Sequence, residues 1–404
     1  MIGRRWIARI VVTCVCGSVG AAWGQVSPES AEKYAEGQEL YGKHRYQEAL
    51  AAFEAAANLD GKNAQAYRAM GRTYKELRDY DKATESYRMS VSVKPDYAAA
   101  FFELGQLQYT LRKYDEAQGN FAQVLKLEPD FQDGKAREYL KVSYLKQGSL
   151  YFRQRNYRKA AEEYTKASNV DPTDATTFYN MGLAYWKGRS FSEAIDALST
   201  AVGLDSKYSK AHKALGDIYR STRKYGDAVK AYSNAIDVDP KMDDAYINLA
   251  ATYMATEQPD KAAATLRRAV ANGLTDAKIY SALGFAYAQQ KSWENAISSY
   301  KKSLAAKANA EARYRLAVAY FETKEYKTAI TQGTQAAKDR KFKVPANVIL
   351  GDVYEALKNE GWKEKAISHY KVGVNDRQYS KYCEDKIDRI KNPMGSQEQD
   401  STSK

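Results

Sequence analysis

Residues 67–95 read YRAMGRTYKELRDYDKATESYRMSVSVKP, and this stretch decides the fold. Tyr67, Met70, Gly71 and Tyr74 are spaced by three and four, which puts them on one side of a helix. Ala83, Tyr87 and Ser90 mark one face of a second helix, and Pro95 closes the unit. Between the two, Arg78-Asp79-Tyr80-Asp81 is a short polar turn. The stretch thus encodes a pair of amphipathic helices, A and B.

The same skeleton recurs ten times between Ser30 and Gln378, about every 34 residues, which is the signature of a helical-repeat solenoid. Phe101, Leu104, Gly105, Ala117, Phe121 and Pro129 fill its places in the third copy; Leu215, Gly216, Tyr219, Ala228, Tyr232, Ala235 and Pro240 fill them in the sixth. The ends are looser: the first copy keeps Gly37, Leu40, Ala49, Phe53 and Ala56, the tenth Leu350, Gly351, Tyr354, Ala366 and Tyr370. Small residues are expected where A and B cross, a helix A glycine facing a helix B alanine, with aromatics filling the volume on either side. The recurrent Pro lacks an amide hydrogen and is expected to stop helix B.

This pattern resembles the tetratricopeptide repeat family over roughly residues 30–378. The resemblance implies an all-α fold, a right-handed α-solenoid of about ten helix-turn-helix units with a capping helix at its C-terminal end, used as a binding scaffold. The expected layout is repeats 1–3 over 25–131, a helical insert over 132–140, repeats 4–10 over 141–378, a capping helix over 379–391 and a disordered tail over 392–404. In the insert, helix A of the fourth repeat starts early or a separate short helix forms. A second irregularity is a longer turn at Lys358 to Trp362. Tyr382, Cys383, Ile387 and Ile390 are spaced for one face of the capping helix, and the tail has almost no apolar content.

The first 24 residues read as a secretory signal peptide. Arg4 and Arg5 precede an apolar run from Ile10 to Ala22, too short to span a bilayer comfortably, and Ala22-Trp23-Gly24 is a small-x-small cleavage pattern. Twin-arginine export and a lipoprotein anchored at Cys14 or Cys16 are the alternatives. The first reading predicts a chain starting at Gln25, periplasmic or secreted, with no stable membrane span after cleavage.

Lysine and arginine exceed aspartate and glutamate by 12, and by 9 once Arg4, Arg5 and Arg9 are set aside. That modest bias admits an anionic polymer as a partner but gives no footprint of nucleic acid, so none is expected. Beyond the signal segment Cys383 stands alone, so no internal disulfide can form, and it reads as a small apolar residue. His44, His212 and His369 fall in three different repeats. No metal-ligand spacing, nucleophile elbow or phosphate loop accompanies them, so neither a cofactor nor catalysis is expected.

What remains is the inner face. In such a superhelix the positions one, five and eight places after the first bulky residue of helix A face the groove. They are strongly apolar here: Phe102, Tyr109, Leu145, Phe152, Tyr179, Leu183, Trp186, Ile247, Met254, Phe285, Tyr314 and Phe321. The functional reading is a trough for an extended or helical partner segment; the competing one is that neighbouring helices bury these side chains. The resemblance further implies that an asparagine two places after the first bulky position holds a ligand backbone, and Asn180 and Asn248 occupy that place. Elsewhere it holds Ala69, Glu103, Lys146, Ala214, Ala282 and Arg315, so there is no continuous ladder. The family's two-carboxylate clamp is approached by Lys213, Asn248 and Lys278 but broken by Asp217 and Ala282. The expected function is a protein-interaction scaffold of the cell envelope that binds protein or peptide segments, with an accessory role in polysaccharide synthesis or export as the alternative.

Overall fold

In the computed structural model, which describes residues 26–392, Gly71 receives the ring of Tyr87: a β-carbon added at Gly71 would lie 2.8 Å from the ring. The pair sits where helix A of one repeat crosses helix B. The described residues form ten such hairpins and a final helix: α1 (Pro28–Gly42) with α2 (Tyr46–Leu59), α3 (Ala64–Glu76) with α4 (Tyr80–Val93), α5 (Ala98–Thr110) with α6 (Tyr114–Leu127), α7 (Lys135–Arg153) with α8 (Tyr157–Val170), and α9 (Ala175–Lys187) with α10 (Phe191–Leu204). There follow α11 (Ser209–Ser221) with α12 (Tyr225–Val238), α13 (Asp243–Ala255) with α14 (Pro259–Ala271), α15 (Ala277–Gln289) with α16 (Trp293–Ala306), α17 (Ala310–Glu322) with α18 (Tyr326–Ala336), α19 (Lys343–Leu357) with α20 (Trp362–Tyr370), and α21 (Ser380–Lys391). The fold is an all-α helical-repeat solenoid.

The helix A glycine faces the large side chain of helix B, not its alanine. Gly37 meets Phe53, Gly105 meets Phe121, Gly148 meets Tyr164, Gly216 meets Tyr232 and Gly284 meets Tyr300, each with a would-be β-carbon 2.6–2.8 Å from the ring. The pairing explains the exceptions. Where helix A carries Ala250 or Ala317, the residue sixteen places on is Leu266 or Gly333, so no ring competes with the methyl group. In the tenth repeat Gly351 meets Tyr370, nineteen places on, because the turn between α19 and α20 is longer. The small helix B residues Ala83 and Ala228 are fully buried beside this contact.

Each A-to-B turn ends helix A with a residue in the left-handed region. In the first four repeats these are His44, Arg78, Arg112 and Arg155; in the last six, Arg189, Arg223, Glu257, Lys291, Lys324 and Lys358. The bonding at the second turn is typical: the Arg78 amide donates to the Lys75 carbonyl at 3.0 Å, and the Asp79 amide to that of Tyr74 at 2.9 Å, closing the orphaned carbonyls of α3. At the opposite ends aspartate turns the chain, with proline following only at Asp171 and Asp239. Asp60, Asp171, Asp205 and Asp239 cap helix B, and each accepts from the amide two residues on at 2.9–3.0 Å.

The insert continues helix A: α7 begins at Lys135, after Gln132, Asp133 and Gly134 have passed through positive φ. Near the C-terminal end, α21 buries Cys383, Ile387 and Ile390 against Tyr370 and Val348. Tyr382 does not share that face; it is exposed, and its hydroxyl donates to Asp352 Oδ1 at 2.6 Å. Burial pushes the Cys383 thiol pKa up, as suits an inert core residue.

The chain divides into two compact units, one ending at Thr177 and one beginning at Phe178. The boundary falls inside α9, not at the 132–140 insert. The signal-peptide reading of residues 1–24, including Cys14 and Cys16, lies outside the described residues, as does the tail from 393 to 404. No described helix is long and apolar enough to cross a membrane.

Candidate partner-binding site

Three consecutive A helices of the second unit build one open pocket of about 480 Å³. Trp186 comes from α9, Asp217, Arg220 and Ser221 from α11, and Asn248, Ala251 and Ala255 from α13, while Tyr225 enters from the start of α12. The repeat delivers them there: each A helix presents the same face, and the small residues Ala251 and Ala255 leave the room that Trp186 overlooks.

Asp217 organises the polar wall. Its Oδ2 lies 2.9 Å from Lys213 Nζ, while Oδ1 accepts from the Tyr232 hydroxyl at 2.7 Å and from Asn248 Nδ2 at 3.0 Å. Burial and the adjacent Asp217 carboxylate push the Tyr232 phenol pKa well up, so Tyr232 stays a proton donor. The carboxylate is thereby neutralised by Lys213 and fully hydrogen-bonded. Asn248 spends one donor on it and keeps its carbonyl oxygen, so its amide is held in one orientation. Asp217 replaces the clamp asparagine in this register, and here it holds the neighbouring asparagine in place.

The apolar series and its asparagines make several kinds of contact. Trp186, Tyr179 and Leu183 are half-buried against the core formed by Leu198, Leu215 and Ile218, and Ile247 and Met254 against that of Tyr246, Leu249 and Leu266. Asn180 is half-buried beside them. Tyr109, Phe152 and Phe321, also half-buried, pack on the first ring of the following helix B, Tyr114, Tyr157 and Tyr326, at 5.3–6.1 Å between centroids. Leu145 is half-buried as well. Tyr314 stacks on Phe342, and the guanidinium of Arg315 lies 4.4 Å from the centre of the Phe285 ring.

Phe102 is a correction. It is 4% exposed and belongs to the core, ringed by Phe121, Phe131 and Tyr139 with centroids 5.0–5.8 Å away. Two of those rings come from the chain entering α7 and from its lengthened first turns, so the insert roofs over a position that an uninterrupted repeat would leave facing the groove. Phe131, just before the insert, and Tyr139 within it were the available signal. Asp217 enters the sequence reading only as the residue that breaks the clamp, and Arg220 does not enter a series read for apolar residues alone. They occupy the five and eight positions of the sixth repeat.

His44, His212 and His369 lie in the first A–B turn, α11 and α20, and no cluster of three or more His, Cys, Asp or Glu able to hold a metal occurs among the described residues.

The chain's relatives agree with this architecture. Family profiles described as "Tetratricopeptide repeat" match residues 34–98, 68–130, 175–208, 219–284 and 282–342, and one described as "TPR repeat" matches 148–188. Together they cover more than half of the sequence, and the chain belongs to the tetratricopeptide repeat family, whose members typically serve as non-catalytic scaffolds for protein–protein interaction. Among solved structures it is similar to the TPR domain of P58(IPK), at 16% identity and a TM-score of 0.33 over 93% of this chain and 99% of that one. It is also similar to yeast Tom70, at 14% and 0.39 over 91% and 96%. YrrB, described as a TPR protein with an unusual peptide-binding site, is 17% identical with a TM-score of 0.32, covering 47% of this chain and 94% of its own. No curated protein matches the chain.

Proposed function

We propose that this protein is a non-catalytic interaction scaffold of the cell envelope that captures an extended or helical segment of a partner protein on the A-helix face of its second unit. The observation that carries the reading is the pocket between Trp186 and Asn248. A half-buried indole supplies an apolar anchor point, Ala251 and Ala255 leave space beside it, and Arg220 with the oriented Asn248 amide supplies polar contacts at its wall. A few fixed polar groups around an apolar centre suit a peptide, whose side chain fills the space while its backbone bonds to the wall.

The envelope setting rests on the N-terminal sequence, with its arginines, short apolar run and small-x-small pattern. It supports export to the periplasm or beyond, and predicts that the protein recovered from a Gram-negative periplasm begins at Gln25. The pocket is tested by placing a photo-crosslinking residue at Ser221, which lines it. Crosslinks from envelope extract should map to one partner segment and vanish when Trp186 is truncated; crosslinks unaffected by that truncation would reject the pocket as the site.

A second reading, an accessory role in polysaccharide synthesis or export, is favoured by the basic balance of the chain, with 62 lysines and arginines against 50 aspartates and glutamates.

A further inference from the structure

The A-to-B turns carry a charge pattern that the fold does not need. In the first unit the left-handed turn residue is Arg78, Arg112 and Arg155 in three successive hairpins, with φ of 60–61°. Glycine fits that backbone without strain, and arginine does not. All three side chains are exposed, and among the described residues none has an ion pair or a side-chain hydrogen bond. The nearest carboxylate along the chain, Asp79, is committed elsewhere: its Oδ1 caps the Lys82 amide at 3.2 Å and its Oδ2 lies 3.5 Å from Lys82 Nζ. Nor does the helix dipole explain the arginines. Each follows the C-terminal end of helix A but precedes the N-terminal end of helix B by two residues, at Tyr80, Tyr114 and Tyr157, so the two fields oppose one another there.

Because α3/α4, α5/α6 and α7/α8 stack in order with their A helices running the same way, the three turns share one edge of the unit. The opposite edge is acidic, and its carboxylates are used in turning the chain, as Asp60 and Asp171 are. Next to each arginine stands the first ring of helix B. Tyr80 is exposed, and Tyr114 and Tyr157 are half-buried.

We propose that this edge binds an acidic polysaccharide, the guanidinium forks gripping uronate carboxylates and the tyrosines lying against sugar faces. A planar fork matches a carboxylate through two parallel bonds, which explains arginine where lysine would give charge alone. Packed helices stand about 8–10 Å apart, so one arginine per hairpin recurs at on the order of 10 Å or more, and such isolated cations lack the dense basic footprint that nucleic acid requires. The choice of polymer rests on the second reading of function above; the site itself is independent of the peptide pocket.

The test uses the full chain titrated with polygalacturonate, neutral dextran and an oligo-dT strand at several salt concentrations. Wild-type protein should bind polygalacturonate in a salt-dependent manner and ignore dextran. The R78G/R112G/R155G variant should bind at least tenfold more weakly and melt at or above the wild-type temperature, since glycine relieves the turn backbone. The R78K/R112K/R155K variant should fall between them. Undiminished binding by a folded glycine variant overturns the assignment of the edge. Preference for oligo-dT that the glycine variant abolishes retains the edge but overturns the polysaccharide and the reading it rests on.

Discussion

Asn248 donates from Nδ2 to Asp217 Oδ1 at 3.0 Å, joining helix A of the seventh repeat to helix A of the sixth. The same oxygen receives the Tyr232 hydroxyl, and Lys213 sits on the other oxygen at 2.9 Å, so one carboxylate serves three partners. Removing a partner should cost less than removing the hub. Asn248→Ala should lower stability by about 1 kcal/mol, the net worth of one hydrogen bond. Asp217→Ala should lower it by about 3 kcal/mol, because a cation and a buried hydroxyl are left without a counterpart. Chemical denaturation of both variants checks the order, and equal losses would show that the carboxylate is not the organiser.

The glycine–ring crossing makes an opposed pair of predictions. A β-carbon at Gly216 would lie 2.6 Å from the ring of Tyr232, whereas one at Gly119, midway along α6, meets nothing within 4 Å. Gly216→Ala should therefore destabilise by about 1–3 kcal/mol through overpacking. Gly119→Ala should stabilise by about 0.5–1 kcal/mol through helix propensity. Thermal melts of the two should move in opposite directions; a shared direction would mean that the crossing is looser than described.

That pair also shows what the sequence made legible. The spacing of three and four located both helices of every repeat, and the fully buried Ala228 and Tyr232 lie where the period placed them. Which small residue faces which large one was not legible, since Gly216 and Ala228 are equally small and only the crossing decides that the ring lies on the glycine. Phe102 was misread for a related reason: the period is blind to what an insertion folds over it. The polar wall of the pocket was accessible from the same register, because Asp217 and Arg220 hold groove positions, but a charged residue in a repeat reads first as solvated surface. Arg78 was legible as part of a polar turn, but its left-handed backbone was not, as backbone sign leaves no mark in an exposed polar turn.

His369 gives stability a pH dependence. Its ring stacks on Tyr354, its Nδ1 hydrogen is directed at Asn347 Oδ1 at 2.8 Å, and burial lowers its pKa below the ordinary value of 6.5. The folded protein thus holds His369 neutral at a pH where the unfolded chain already takes up a proton. Its contribution to stability is complete above about pH 6.5 and shrinks as the pH falls from there toward the lower, folded-state pKa. The melting temperature should drop between pH 7.5 and 5.5, and His369→Gln, which does not titrate, should drop less over that interval. A drop of equal size in the variant would assign the effect to other groups.

The central claim is that Trp186 serves recognition more than folding. The indole is half-buried against Leu198 and Leu215, with its remaining surface on the pocket that Asn248 and Arg220 share. Measuring melting and partner capture on the same Trp186→Ala sample tests this directly. The account predicts a small stability loss and binding weakened by about 2 kcal/mol or more, the scale of an aromatic hot spot. A stability loss of about 3–5 kcal/mol, the scale of a fully buried aromatic, with binding intact in the fraction that stays folded, would contradict it.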